Sequence, residues 1–164
     1  FLRDIEQFEL LDGVTDAIKK INESGYLCIV VTNQPVIARG EVTYEQLDEI
    51  HNKMETLLGL EGAYLDGIYI CPHHPHKGYE GEIPELKIDC DCRKPKPGML
   101  LRAAKDFNID LQNSYMVGDS ESDILAGKAA GCKTVLIGED GYGQDYTTNS
   151  LLAFVEEVFG AGKR

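Results

Sequence analysis

Positive charge is scarce in this 164-residue chain, which has 16 Lys and Arg residues against 28 Asp and Glu, for a formal net charge of −12. A nucleic-acid partner needs Lys and Arg to neutralise its phosphates, so this balance argues against nucleic-acid binding. Any anionic substrate must instead be met by a local positive site.

Long apolar runs are also missing, since none approaches the roughly 20 residues that span a bilayer. The first residues, Phe1 to Asp4, lack the basic-then-apolar pattern of a secretory signal peptide. There are no repeats and no low-complexity segments. The five cysteines are an odd number, and their close pairs have metal spacing rather than disulfide spacing. We therefore expect a cytoplasmic protein with no membrane contact.

Apolar runs and helical periodicity alternate along the chain. The runs Leu27–Val31, Ile68–Ile70, Tyr115–Val117 and Thr134–Ile137 predict strands covered on both faces. Helices are predicted from near Gly13, Thr43, Pro97, Ser120 and Leu151, with His51 on the surface of the second. Gly25 is predicted to end the first helix and Gly131 the fourth, and Cys28 is predicted to lie in the core. This order predicts one α/β domain over residues 1–164, with a mainly parallel sheet and flanking helices.

Cysteine and histidine cluster in one stretch, residues 71–92. Cys71 and His73 form one close pair, and Cys90 and Cys92 form another that begins 17 residues after His73. Thiolate and imidazole are the ligands that Zn²⁺ prefers, and two close pairs joined by a loop can close a tetrahedral site. The sequence therefore predicts a zinc-binding loop.

The fourth zinc ligand is the least certain, because His74 and His76 are alternatives. The competing interpretation is two buried thiols plus a histidine cluster on the surface. The low apolar content of the loop argues against it, since such a loop cannot form a core of its own.

Polar residues follow three predicted strands, at the sheet edge where ligands bind in α/β folds. Thr32-Asn33-Gln34 could hold a phosphoryl oxygen or form an ordinary polar turn. Arg93 and Lys94 suit phosphate capture, or are two solvated cations. The run from Gly118 to Asp123 suits Mg²⁺, but Ser120 and Asp123 would equally cap a helix. Capping leaves Asp119 without a role.

Together these sites resemble the haloacid dehalogenase (HAD) superfamily of phosphohydrolases. Val31 to Gln34 is similar to its second motif, Lys94 to its third, and Gly118-Asp119-x-x-x-Asp123 to its fourth. Narrower similarities lie in Cys-Pro-His-His-Pro, Cys-Asp-Cys-Arg-Lys-Pro and Ile-Ala-Arg-Gly at 37–40. These resemble the D-glycero-D-manno-heptose 1,7-bisphosphate phosphatases, and the resemblance covers essentially the whole chain.

The resemblance implies a Mg²⁺-dependent phosphatase that removes one phosphate of a sugar bisphosphate through an aspartyl-phosphate intermediate. It assigns the zinc ligands to Cys71, His73, Cys90 and Cys92, and Mg²⁺ to Asp119 with support from Asp123. It makes Thr32 and Lys94 the residues that stabilise the phosphoryl group. The substrate-binding residues that it implies are Thr32, Asn33, Gln34, Arg93, Lys94 and Ser120.

Three departures from the family pattern matter. The turn after the second motif usually reads Asn-Gln-Ser-Gly, whereas Pro35 and Val36 stand in the last two places here. Asp119 is often followed by Lys or Arg, and here Ser120 follows it. The first motif, Asp-x-Asp-Gly-Thr on a central strand, is absent, and Asp4 does not replace it because no apolar strand precedes it. We therefore expect these 164 residues to lack that strand and the nucleophile it carries, and to be inactive alone.

Two alternatives stay open. A histidinol-phosphate phosphatase shares the zinc loop, although its loop is typically shorter than the 77–89 insertion here. A non-catalytic zinc module, fused to or paired with a sugar nucleotidyltransferase, belongs to another class of function. For either phosphatase we expect a monomer.

Overall fold

The computed structural model describes residues 13–33, 44–71 and 92–160. Its helices are α1 (Val14–Ser24), α2 (Tyr44–Leu60), α3 (Gly98–Phe107), α4 (Glu121–Ala130) and α5 (Leu151–Val155), the last continuing as a π-helical turn, Glu156–Gly160. A 3₁₀ turn covers Leu111–Asn113. Its strands are β1 (Ile29–Asn33), β2 (Gly67–Cys71), β3 (Tyr115–Gly118), β4 (Lys133–Ile137) and β5 (Tyr146–Thr148).

All three strand pairings are parallel. β1 pairs with β2, and separately β3 pairs with β4 and β4 with β5. The α/β fold with parallel strands and flanking helices is confirmed. Among the described residues no strand joins β1 to β3, and the described strands form a two-stranded sheet, β1-β2, and a three-stranded sheet, β3-β4-β5.

The first strand begins later than the apolar run predicts. Leu27 is 45% exposed, and the ladder starts at Ile29. The cause is Asp66, whose backbone N–H donates to the Cys28 carbonyl (2.7 Å) and whose carboxylate accepts from the Cys28 N–H (2.7 Å). A side chain thus takes the place of one ladder bond, and the strand extends instead to Asn33.

Strand β5 was not predicted, because three residues carry too little periodicity to be recognised. Asp145 holds its start against β4: the carboxylate accepts from the N–H (2.8 Å) and the hydroxyl (3.1 Å) of Thr134. These hydrogen bonds lower the pKa of Asp145. The contact joins residues 11 positions apart and leaves no local sequence signal.

Helix α4 packs closely against β3 and β4. A Cβ at Gly127 would lie 2.7 Å from Met116 Cβ and 2.8 Å from Thr134 Cγ2, so only glycine fits there. Ser120 caps the helix and Gly131 ends it in the left-handed conformation, as the sequence predicts. This tight docking fixes the helix start relative to the end of β3.

Two apolar clusters make up much of the described core. One joins Ala17 of α1 to Val135, Phe154 and Val155, so that α1 and α5 pack together beside β4. The other groups Ile18, Leu58 and Ala63. His51, predicted on the surface, is half-buried, and burial lowers its pKa. No helix in the described ranges is long and apolar enough to cross a membrane.

Candidate active site

Lys94 is the centre of the polar cluster at the carboxyl ends of β1 and β3. Its Nζ donates to Asp123 Oδ1 at 2.5 Å and to the Val31 carbonyl at 3.2 Å. The Lys94 and Asp123 side chains are only 14% and 9% exposed, so water screens this ion pair weakly. An ammonium has three N–H donors, and two of them are engaged by residues that the structure describes.

The backbone of Lys94 is clamped by Asn33 at the end of β1. The Asn33 Oδ1 accepts from the Lys94 N–H at 2.9 Å, and its Nδ2 donates to the Lys94 carbonyl at 3.2 Å. Both ends of one amide therefore fix one residue that lies 61 positions away. The predicted substrate-binding residue Asn33 is placed to orient Lys94.

Asp123 also organises the start of α4 with its second oxygen. Oδ2 accepts from the N–H of Asp119 (3.2 Å), the N–H of Ser120 (3.3 Å) and the Ser120 hydroxyl (2.9 Å). Ser120 and Asp123 form a capping box. Gly118 allows this approach, because a Cβ there would lie 2.3 Å from the same oxygen. The capping interpretation is thus confirmed, and Asp123 in addition serves Lys94.

Asp119 differs from Asp123 in having its carboxylate exposed. It follows the last residue of β3, and its side chain makes no hydrogen bond within the described part of the chain. An exposed carboxylate at a strand end is the donor chemistry that a hard divalent cation requires. The residues present therefore fit the Mg²⁺ that the resemblance implies.

Thr32 and Arg93 complete the described cluster. Thr32 is half-buried one residue before Asn33, and Arg93 is half-buried immediately before Lys94. The Arg93 carbonyl accepts from the Lys96 N–H at 2.9 Å, which closes a turn ahead of α3. Gln34 lies outside the described residues.

Half of the predicted zinc set is described. Cys71 ends β2, is fully buried and pairs in register with Asn33, while Cys92 is half-buried two residues before Lys94. Since Asn33 bonds to Lys94, the end of β2 and the 92–94 segment are neighbours. His73, His74, His76 and Cys90 fall outside the described residues. Within the ranges described, no three metal-binding side chains converge, so zinc stays a prediction.

Sequence reasoning missed two parts of this site, the Val31 carbonyl and the clamping role of Asn33. Neither leaves a sequence signal, since a backbone oxygen is common to all residues. Cys28, predicted to be core, is half-buried and packs against the cluster of Ile18 and Leu58. Burial and then the nearby Asp66 carboxylate raise its pKa to about 11, so it remains a neutral thiol.

Comparison with known proteins gives the same class of protein as the motif resemblance in the sequence. The HAD-hydrolase-like family model matches residues 91–153. The D-glycero-beta-D-manno-heptose-1,7-bisphosphate 7-phosphatase of Pasteurella multocida is 48% identical over 138 residues, covering 84% of this chain and 72% of that protein. Its Haemophilus ducreyi counterpart is 44% identical over 167 residues, covering 96% and 89%.

A solved structure gives the same result. The D,D-heptose 1,7-bisphosphate phosphatase from B. bronchiseptica, complexed with magnesium and phosphate, superposes with a TM-score of 0.84 at 29% identity, covering 99% of this chain and 90% of that one. The fold is that of a HAD-type phosphatase. The chain belongs to the D-glycero-beta-D-manno-heptose-1,7-bisphosphate 7-phosphatase family.

Proposed function

We propose that this domain, in the complete enzyme, removes the 7-phosphate of D-glycero-β-D-manno-heptose 1,7-bisphosphate and leaves the 1-phosphate. The observation that carries the proposal is the position of Lys94. Its ammonium is held by Asp123 Oδ1 and the Val31 carbonyl at the carboxyl ends of two parallel strands. That geometry suits a phosphoryl oxygen whose charge grows in the transition state.

The nucleophile is proposed to be an aspartate carboxylate from a strand that is not among these 164 residues. Of the two carboxylates described beside Lys94, Asp123 has both oxygens engaged and Asp119 suits the metal. Attack of the missing carboxylate on phosphorus forms an aspartyl-phosphate and expels the sugar oxygen, which a second Asp protonates; water then releases phosphate. Without that strand we expect no hydrolysis.

Asp119 is the proposed Mg²⁺ ligand, and the cation would supply charge compensation between nucleophile and phosphate. Asp123 is better assigned to positioning Lys94 than to direct metal contact, since Lys94, Asp119 and Ser120 all donate to it. Thr32 is proposed to hold a second phosphoryl oxygen. Their roles are tested by the kinetics below.

Arg93, Gln34 and Ser120 are the proposed contacts to the rest of the sugar phosphate. Arg93 begins the turn before α3 and immediately precedes Lys94, and a guanidinium there suits bidentate capture of the distal phosphate. Ser120 already bonds Asp123 with its hydroxyl and accepts from the Asp123 N–H, so its contribution to substrate is the smallest.

A structural zinc, bound by Cys71, His73, Cys90 and Cys92, is proposed to hold the loop that delivers Arg93 and Lys94. Its support is local: Cys71 lies beside Asn33, and Cys92 precedes Lys94 by two residues. We further propose a monomeric single domain in a reducing cytoplasm. A monomeric domain of this kind could also be fused to a nucleotidyltransferase.

The test compares phosphate release by the 164-residue chain and by a version extended upstream with an Asp-x-Asp-Gly-Thr strand. Only the extended protein should hydrolyse heptose 1,7-bisphosphate, with Mg²⁺ required and histidinol phosphate a poor substrate. In the extended protein, Lys94→Ala should lower kcat roughly 30- to 900-fold, which corresponds to about 2–4 kcal/mol of activation free energy. Activity of the shorter chain that Asp119→Asn abolishes and the extension leaves unchanged would refute the proposed chemistry.

A further inference from the structure

The Asn33 side chain holds the backbone of Lys94 at two points. Its Oδ1 accepts from the Lys94 N–H at 2.9 Å, and its Nδ2 donates to the Lys94 carbonyl at 3.2 Å. A single hydrogen bond fixes a distance, whereas two bonds from one planar amide to both backbone groups of a residue also fix its orientation. Turning the amide toward a substrate would break both bonds. The geometry of Asn33 is therefore that of a clamp on Lys94.

The Lys94 side chain runs back along β1 from this clamp. Its backbone lies beside Asn33, while its ammonium donates to the Val31 carbonyl at 3.2 Å, two residues earlier on the same strand. Two residues of a strand span roughly 6.6 Å, a length that the four-carbon stem of a lysine can cover. The end of β1 thus fixes both ends of Lys94. Asp123 Oδ1 holds the same ammonium from the start of α4.

Asn22 makes the same pair of bonds elsewhere in the fold. Its Oδ1 accepts from the Tyr64 N–H at 2.9 Å, and its Nδ2 donates to the Tyr64 carbonyl at 3.0 Å. Asn22 belongs to α1, which precedes β1, and Tyr64 precedes β2. This second clamp therefore lies toward the amino ends of these strands, away from Lys94. It has the same chemistry without a lysine to position, and it provides a matched control.

We propose that Asn33 is a positioning residue, which acts on phosphoryl transfer through Lys94 and makes no side-chain contact of its own with the substrate. This inference rests on the proposed function, in which the Lys94 ammonium stabilises the transferred phosphoryl group. Such a donor is effective only when it already stands where charge develops. Without the Asn33 amide, the backbone of Lys94 loses two bonds that orient it, and the ammonium moves from that place. Asn33 therefore supports kcat and not substrate affinity.

Steady-state kinetics of the extended enzyme test this role. Asn33→Ala should lower kcat at least about tenfold and change KM less than about threefold, because a displaced catalytic group affects the transition state more than the bound substrate. Asn22→Ala removes the same two bonds elsewhere and should leave kcat and KM unchanged. A raised KM at unchanged kcat for Asn33→Ala, as for a lost substrate contact, would overturn the proposal. An equal fall in kcat for Asn22→Ala would do so as well.

The Lys94→Ala background separates an effect through Lys94 from a general loosening of the site. Because that variant has no ammonium to misplace, adding Asn33→Ala should lower its kcat by less than about twofold. A further loss as large as that in the unmodified enzyme contradicts a role through Lys94. Asn33→Asp is the milder variant where Asn33→Ala does not fold, since it keeps an acceptor for the Lys94 N–H and loses the donor to the carbonyl. It should also lower kcat, and an unchanged kcat counts against the clamp.

Urea unfolding of the extended protein decides the same question without catalysis. Lys94→Met, Asp123→Asn and the double variant give the coupling free energy between the two side chains. In the Asn33→Ala background this coupling should lose at least about half of its value, and in the Asn22→Ala background it should not change. A coupling that Asn33→Ala leaves intact would overturn the proposal. An extended protein that releases no phosphate would refute the proposed function, whereas the coupling would still decide whether Asn33 positions Lys94.

Discussion

Replacement of Asp123 by Asn removes one charge while keeping the shape of the side chain. The amide has one oxygen where the carboxylate has two, and the two sets of donors around Asp123 cannot both be satisfied. If the oxygen faces Lys94 Nζ, the NH₂ meets the N–H groups of Asp119 and Ser120; if it is reversed, the NH₂ meets the ammonium. Either orientation sets a donor against a donor.

The size of the expected loss of stability follows from the burial of the Lys94–Asp123 ion pair. A hydrogen bond to a charged group contributes about 1.5–3 kcal/mol, and removing one partner of a buried ion pair costs about 3–5 kcal/mol. Because Lys94 and Asp123 retain 14% and 9% exposure, we expect Asp123→Asn to lower the free energy of unfolding by about 2–4 kcal/mol. In a domain of this size that lowers Tm by roughly 5–15 °C.

Urea unfolding of a double-mutant cycle isolates the interaction. Lys94→Met and Asp123→Asn should each destabilise, and the double variant should cost less than their sum by about 1 kcal/mol or more. Asp140→Asn is the control, since that exposed carboxylate accepts only a Tyr142 hydroxyl at 3.1 Å and should change stability by less than about 0.5 kcal/mol. Additivity of the two single effects would refute the claim that Asp123 positions Lys94.

Three further outcomes are expected. Protein purified without a His-tag should contain about one zinc per chain by metal analysis; zinc that is absent, or that survives Cys90→Ser with Cys92→Ser, contradicts the zinc site. In the extended enzyme, Arg93→Ala should raise KM with little change in kcat, and steady-state kinetics showing the reverse would remove its substrate role. Gly127→Ala should cost about 1–3 kcal/mol in urea unfolding by overpacking. Gly59→Ala, a helical glycine with nothing within 4 Å, should not destabilise, and equal losses would contradict the packing argument.

Local signals in the sequence predicted the start and end of α4 closely. The side chains of Ser120 and Asp123 each accept from the other's backbone N–H in the capping box. Gly131 adopts the left-handed conformation that ends the helix. Such interactions span three or four positions, so their residue types and spacing are visible in the sequence. The same holds for Gly25, which ends α1 in the left-handed conformation.

The contacts that the sequence could not predict join residues that lie far apart in the chain. Asn33 meets Lys94 across 61 positions, and Lys94 meets the Val31 carbonyl across 63. The motif resemblance placed Asn33 and Lys94 at the same site. The folded structure adds that the Asn33 amide bonds the Lys94 backbone, a contact that no local pattern predicts.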